Sequence, residues 1–259
     1  MLHGFTQTGR CLGPLADALE ESHTVLRPDL PGHGGAAALA ELDLWATAEH
    51  LSRAIGPTLE QPSVWFGYSM GGRVALHVAL AHPELVAGLV LVGATAGIDD
   101  DVERAERLAA DIELADHIEA VGVQRFLDEW LALPLFAGMA PWARFEDERA
   151  TNTATGLAGS LRHAGTGSMD PLWDRLSRIA VPVLCLAGDH DTKFTAIAER
   201  LAAALPDATV ATIDDAGHAA HLCRPDAVAD LTVPFCDRLV PARAARRNEV
   251  PSARWYERP

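Results

Sequence analysis

Lysine is almost absent from this chain of 259 residues: Lys193 is the only one, although lysine and arginine together number 21. A general preference for arginine explains the missing lysines, but not why one persists at position 193. Positive charge is scarce overall, since 36 acidic residues leave a formal net charge of −15. So acidic a surface repels polyanions, which argues against nucleic acid and anionic membranes as partners. It also means that an anionic substrate needs a local cluster of cations. Cysteine is sparse, and the spacing of Cys11, Cys185, Cys223 and Cys236 fits neither a zinc site nor a redox pair. All four read as reduced thiols, which suits a cytoplasmic location. No run has the length and apolarity of a membrane span. No membrane partner, metal or cofactor is therefore expected. A hydrophobic content of 49% supports one large α/β domain with room for an inserted cap.

What is present is more specific. Gly67-Tyr68-Ser69-Met70-Gly71 is a Gly-x-Ser-x-Gly element. An apolar run, Val64-Trp65-Phe66, precedes it, and a helix-like run from Arg73 to Leu80 follows. Strand, sharp turn and helix make a nucleophile elbow, in which a serine hydroxyl is presented at the end of a sheet. Further strands are read at residues 24–27, 86–92, 181–187 and 209–213. Helices are read near 11–21, 44–59, 195–205 and 225–239. Alternation of this kind implies a mostly parallel sheet with helices on both faces. Between 98 and 174 the periodicity is helical and no strand is convincing. The expected organisation is a core of 1–97 and 175–240, a helical cap of 98–174, and a disordered tail of 241–259.

A serine hydroxyl needs a histidine to take its proton, and a carboxylate to hold that histidine in the right tautomer. In this architecture they follow in the order serine, acid, histidine. Gly188-Asp189-His190-Asp191 follows the 181–187 strand, and Gly217-His218 follows the 209–213 strand. Asp191, deeper in its loop, is favoured over Asp189, which reads as a turn cap. His218 is favoured because Gly217 allows an exposed turn before it, with His221 as a pocket neighbour or a helix-start residue. The oxyanion hole should use the backbone N–H groups of Met70 and Phe5. His3 and His33, both in turns, read as loop braces. Candidate cations for an anionic substrate are Arg73, Arg162 and Lys193, with Arg125 a weaker one. Arginine suits bidentate carboxylate binding. Trp130 and Trp173 could wall a ring site or simply pack.

With these residues the chain resembles the α/β-hydrolase superfamily over nearly its whole length. More narrowly it resembles the 2-succinyl-6-hydroxy-2,4-cyclohexadiene-1-carboxylate synthases. That narrower resemblance rests on Arg73 after the double glycine in Gly67-Tyr68-Ser69-Met70-Gly71-Gly72-Arg73, where Tyr68 is a further substrate-binding candidate, and on Trp130 with Pro134-Leu135-Phe136. Leu161-Arg162 with Gly165-Thr166-Gly167, Leu172-Trp173, Asp191-Thr192-Lys193-Phe194 and Gly217-His218-Ala219-Ala220-His221 complete it. The resemblance implies a lyase of menaquinone biosynthesis that expels pyruvate from a tricarboxylate, with the triad removing a ring proton. Competing readings are an ester or carbon–carbon bond hydrolase, and a non-catalytic ligand-binding protein on the same fold.

One departure bears on the fold. Family members place a central strand just before His3-Gly4-Phe5, and here only Met1 and Leu2 precede it. Two residues cannot make a strand of about five. The expectation is that the functional protein begins upstream.

Overall fold

Four parallel strands, β1 (Ser63–Tyr68), β2 (Val86–Val92), β3 (Val183–Gly188) and β4 (Ala208–Ile213), lie side by side in sequence order in the computed structural model. The structure describes residues 1–136 and 138–240; the tail expected over 241–259 lies outside them. β2 and β3 are near-continuous apolar runs because both of their faces are covered. β4 pairs only with β3 and is the least buried strand, as an edge strand can be.

Helices cover both faces. On one side α2 (Leu44–Ile55), α3 (Met70–Ala81) and α8 (Thr192–Ala204) pack on Trp65, Leu89, Leu91, Val183 and Cys185. On the other, α1 (Gly13–Glu20), α9 (Ala220–Cys223) and α10 (Pro225–Leu239) pack on Phe66, Tyr68, Val90, Leu184 and Leu186. Successive residues of each strand thus feed alternate cores, as the two-residue period requires. Between β2 and β3 lie α4 (Asp101–Val121), α5 (Val123–Leu131), α6 (Glu146–Arg149) and α7 (Ala154–Ala164). Asp100 and Thr153 cap the starts of α4 and α7 with their side chains. This helical insertion has a small core of its own, built on Ile118, Phe126, Leu127, Leu157 and Leu161.

Two expectations from the sequence are corrected here. The helix read over 44–59 ends at Ile55 and tightens into a 3-10 turn over Gly56–Thr58, because Pro57 has no N–H to continue it. The strand read at 24–27 does not form a ladder. Among the described residues the 24–27 segment meets Met1, and Leu2 lies beside β1. Leu2 makes one parallel bridge, donating to the Phe66 carbonyl at 2.8 Å and accepting from the Tyr68 N–H at 3.0 Å. The Met1 ammonium donates to the Leu26 carbonyl at 2.7 Å. Two residues supply a bridge and one further bond, where a ladder needs several.

Candidate active site

Ser69 stands at the junction of β1 and α3 with φ 49° and ψ −106°, a conformation that costs a non-glycine residue roughly 1–3 kcal/mol. The turn is pinned by the Ser69 N–H, which donates to the Val92 carbonyl at 2.9 Å. It tolerates no bulk on either side. A Cβ on Gly67 would lie 2.4 Å from the Gly71 carbonyl oxygen, and one on Gly71 would lie 2.2 Å from the Leu2 oxygen. The second contact also brings the first turn of α3 against the Leu2–His3 segment.

Asp191 follows β3 and His218 follows β4, so all three groups collect beyond the carboxyl ends of the strands. His218 Nδ1 lies 2.8 Å from Asp191 Oδ2, and His218 Nε2 lies 3.2 Å from Ser69 Oγ. The carboxylate therefore holds the imidazole with its proton on Nδ1 and its lone pair towards the serine. Asp189 does something else: its Oδ1 accepts the Ala216 N–H at 3.1 Å, a bond that holds its carboxyl below the usual range. It braces the turn that carries the histidine. The glycine this turn requires is Gly188, where a Cβ would meet the Ala216 oxygen at 2.2 Å. At Gly217, which the sequence reading credited with shaping the turn, a Cβ would meet nothing closer than 3.7 Å.

The N–H of Met70, the first helical residue of α3, has no intrahelical acceptor. Among the described residues the Phe5 N–H has none either. Both donors are thus unspent. Thr6, next to Phe5, has φ 67° and is held on three sides. Its N–H donates to His33 Nε2 at 3.2 Å, its carbonyl accepts from Asn152 Nδ2 at 2.8 Å, and its hydroxyl oxygen accepts from Arg149.

His3 and His33 do brace these loops. His3 Nε2 accepts the Leu30 N–H at 2.9 Å while Nδ1 faces the Gly4 carbonyl; His33 Nδ1 faces the Pro31 carbonyl at 3.0 Å. Each ring must be neutral to accept at Nε2. Burial lowers His3 to about 4 and His33 to about 3. A histidine that resists protonation only when folded stabilises the fold fully above its unfolded pKa of about 6.5 and loses that contribution as pH falls towards the folded value. Each should cost about 2 kcal/mol of stability between pH 7 and 5, a window in which most carboxylates remain ionised. Denaturant titrations across that window are expected to fall steeply. A flat profile would mean that these rings are not neutral braces.

The predicted cations separate into two groups. Arg125 is exposed and paired with Glu129, and Arg162 is paired with Asp116 and Glu119. Arg162 faces α4, whereas Ser160, on another side of α7, reaches Met70 Sδ at 3.6 Å. Arg73 is buried, with Nη1 donating to the Ala164 carbonyl at 2.7 Å; burial, aided by Arg107, pulls its pKa to about 10. Lys193 is exposed, has no ion pair among the described residues, and lies 5.9 Å from the Phe194 ring, which itself packs 4.3 Å from His218. Trp130 packs edge-on to Phe5 at 5.5 Å, and its buried indole N–H is unpartnered. Trp173 is engaged elsewhere, donating to Gly97 and stacked under Arg200. The Tyr68 ring lies 5.3 Å from His218 and 4.0 Å from His221, and burial pushes its hydroxyl pKa up. His221 is fully buried with both nitrogens unpartnered, and burial holds it neutral.

Nothing in the sequence marks Arg149, which sits in a charge run (Glu146-Asp147-Glu148-Arg149) that reads as solvated surface. It is 1% exposed, donates through Nε to the Arg144 carbonyl at 2.7 Å, and has Nη2 unpartnered. Among the described residues neither Arg149 nor Arg73 makes an ion pair with a carboxylate; Asp111, already paired with Arg107, lies near enough to favour the charge on Arg73. No group of side chains among the described residues could hold a metal ion, and no described helix is long and apolar enough to cross a membrane.

Residues 1–231 match the alpha/beta hydrolase family. A Bacillus subtilis protein provisionally named 2-succinyl-6-hydroxy-2,4-cyclohexadiene-1-carboxylate synthase is 36% identical over 232 residues, covering 86% of this chain and 84% of its own. The synthase of that name from Salmonella typhimurium is 32% identical over 234 residues, 88% of this chain and 89% of its own. Among solved structures, MenH from S. aureus superposes with a TM-score of 0.87 at 30% identity, covering 92% of each chain. A thermophilic esterase from Thermogutta terrifontis, 22% identical with a TM-score of 0.82, shares the fold. With the elbow, the sheet order and this match over most of its length, the chain belongs to the alpha/beta hydrolase family.

Proposed function

We propose that this protein is a carbon–oxygen lyase of menaquinone biosynthesis. Its substrate in this reading is 2-succinyl-5-enolpyruvyl-6-hydroxy-3-cyclohexene-1-carboxylate, from which it eliminates pyruvate in the cytoplasm. The synthase names of the relatives support the reaction class. The observation that carries the substrate class is the pair of buried guanidiniums, Arg73 and Arg149, which make no ion pair with a carboxylate among the described residues of a chain of net charge −15. A buried cation without a counter-charge is costly, and a bound carboxylate supplies one.

In the mechanism, Ser69 Oγ passes its proton to His218 Nε2 and takes the ring proton α to the succinyl ketone. Asp191 stabilises the imidazolium, and the N–H groups of Phe5 and Met70 hold the enolate oxygen. The ring electrons shift, the carbon–oxygen bond to the enolpyruvyl group breaks, and His218 returns its proton to the leaving group. The products are a conjugated diene and pyruvate, and no water is consumed. The helical insertion acts as the cap that closes over the ring, with Trp130 against it, Tyr68 alongside the triad and Lys193 at the rim.

The test is incubation with the enolpyruvyl substrate beside a panel of neutral esters, following pyruvate and diene absorbance. Pyruvate and diene in equal amounts are expected. Ester cleavage without pyruvate release would replace this reading with a hydrolase.

A further inference from the structure

We propose that Asn152, in the helical insertion, is a positioning residue for the oxyanion hole: it fixes the Thr6 turn and, through it, the N–H of Phe5. The inference rests on the reading of Phe5 and Met70 as the oxyanion donors.

Asn152 is 5% exposed and uses its whole amide. Nδ2 donates to the Thr6 carbonyl at 2.8 Å and to the Arg149 carbonyl at 2.9 Å, while Oδ1 accepts the Gly34 N–H at 2.9 Å. Its two carbonyl neighbours demand a donor and its N–H neighbour demands an acceptor, so the amide has one orientation. In sequence these partners are far apart. Thr6 belongs to the turn that offers Phe5, Gly34 to the loop after His33, and Arg149 to α6. One side chain therefore ties both core loops to the insertion.

The turn needs holding. Thr6 is β-branched and sits at φ 67°, a region that such residues rarely occupy. Conformations of this kind persist only where the surroundings over-determine them. His33 holds the Thr6 N–H from within the core, but among the described residues the Thr6 carbonyl and hydroxyl are held only from the insertion, by Asn152 and Arg149. The Thr6 carbonyl shares its peptide with the Gln7 N–H, which donates at 3.2 Å to the Gly4 carbonyl, the other end of the peptide that carries the Phe5 N–H. Releasing the Thr6 carbonyl frees the Thr6–Gln7 peptide to rotate, and the Gly4–Phe5 peptide loses its anchor with it. The closely spaced bond from the Thr8 hydroxyl to Glu148 Oε1, at 2.6 Å, ties the far end of the same turn to the same insertion.

Phenylboronic acid tests the hole without depending on the natural substrate, because it bonds to Ser69 Oγ and places a boron-bound oxygen where the oxyanion would sit. Losing an oxyanion donor outright costs a factor of about 100–1,000, so misplacing one by Asn152→Ala should weaken boronate binding by about 10–100-fold. The kcat of the enzyme should fall by a similar factor while KM for the substrate changes by no more than about twofold. Asn152→Asp keeps the acceptor for Gly34 but turns a lone pair to the Thr6 carbonyl, and should lose as much. Thr151→Ala, which removes only a bond to the Glu148 carbonyl within the insertion, should leave boronate affinity unchanged. Lowered melting temperature with wild-type boronate affinity in both Asn152 variants would overturn the proposal, leaving Asn152 a purely structural residue. Failure of both variants to fold would overturn it too. Boronate affinity lost as expected in a protein that releases no pyruvate would keep the positioning role and reject the lyase reading instead.

Discussion

Ser69→Ala and His218→Ala are each expected to lower kcat by several orders of magnitude, on the order of 10⁴–10⁶, because triad members act as a unit. The geometry behind this is the line from Ser69 Oγ to His218 Nε2 at 3.2 Å and from His218 Nδ1 to Asp191 Oδ2 at 2.8 Å. Asp191→Asn should cost about 10⁴, since an amide can stabilise the wrong imidazole tautomer. Asp189→Asn is the internal control. Its Oδ1 accepts the Ala216 N–H, and an asparagine oxygen can do the same. Steady-state rates for the four variants decide the matter. A mild Asp191→Asn beside a crippling Asp189→Asn would move the acid to the other side chain.

Arg73→Ala should cost the tricarboxylate substrate far more than a neutral ester. Removing the partner of a buried charge costs about 3–5 kcal/mol, or roughly 10²–10⁴ in kcat/KM. The same substitution leaves the Ala164 carbonyl without its donor, and an unpaired buried carbonyl costs about 1–3 kcal/mol of stability. That second effect touches every substrate equally, so the neutral ester measures it and the difference isolates the charge. Equal losses on both substrates would make Arg73 a structural residue and count against an anionic substrate.

The parts of this site that could be read in the sequence are those with local signatures. Ser69 announces itself because its strained turn forces glycines at fixed offsets and places a strand before it and a helix after. Asp191 and His218 follow apolar runs that can only be strands, so their placement at strand ends was legible. The bracing roles of His3 and His33 followed from their turns, whereas their neutrality rests on the N–H groups that they accept. What the sequence hid depends on distant packing. Arg162 looked like a free cation, because nothing local says that Asp116 and Glu119, on another helix, neutralise it. Arg149 looked like surface charge, because its burial is set by the turn at Thr6, more than a hundred residues away. The strand at 24–27 had the composition of a strand but not the neighbours, and a ladder is a property of pairs of segments.

In the proposed reaction the triad removes a ring proton and pyruvate leaves, without an acyl-enzyme. The most direct measurement is single-turnover release of pyruvate from substrate carrying deuterium at the ring carbon α to the succinyl ketone, with intact-mass analysis of the quenched protein. Slower release from the deuterated substrate and no added mass on Ser69 are expected. Release at an unchanged rate, together with an acyl adduct on Ser69, would contradict the proposed reaction.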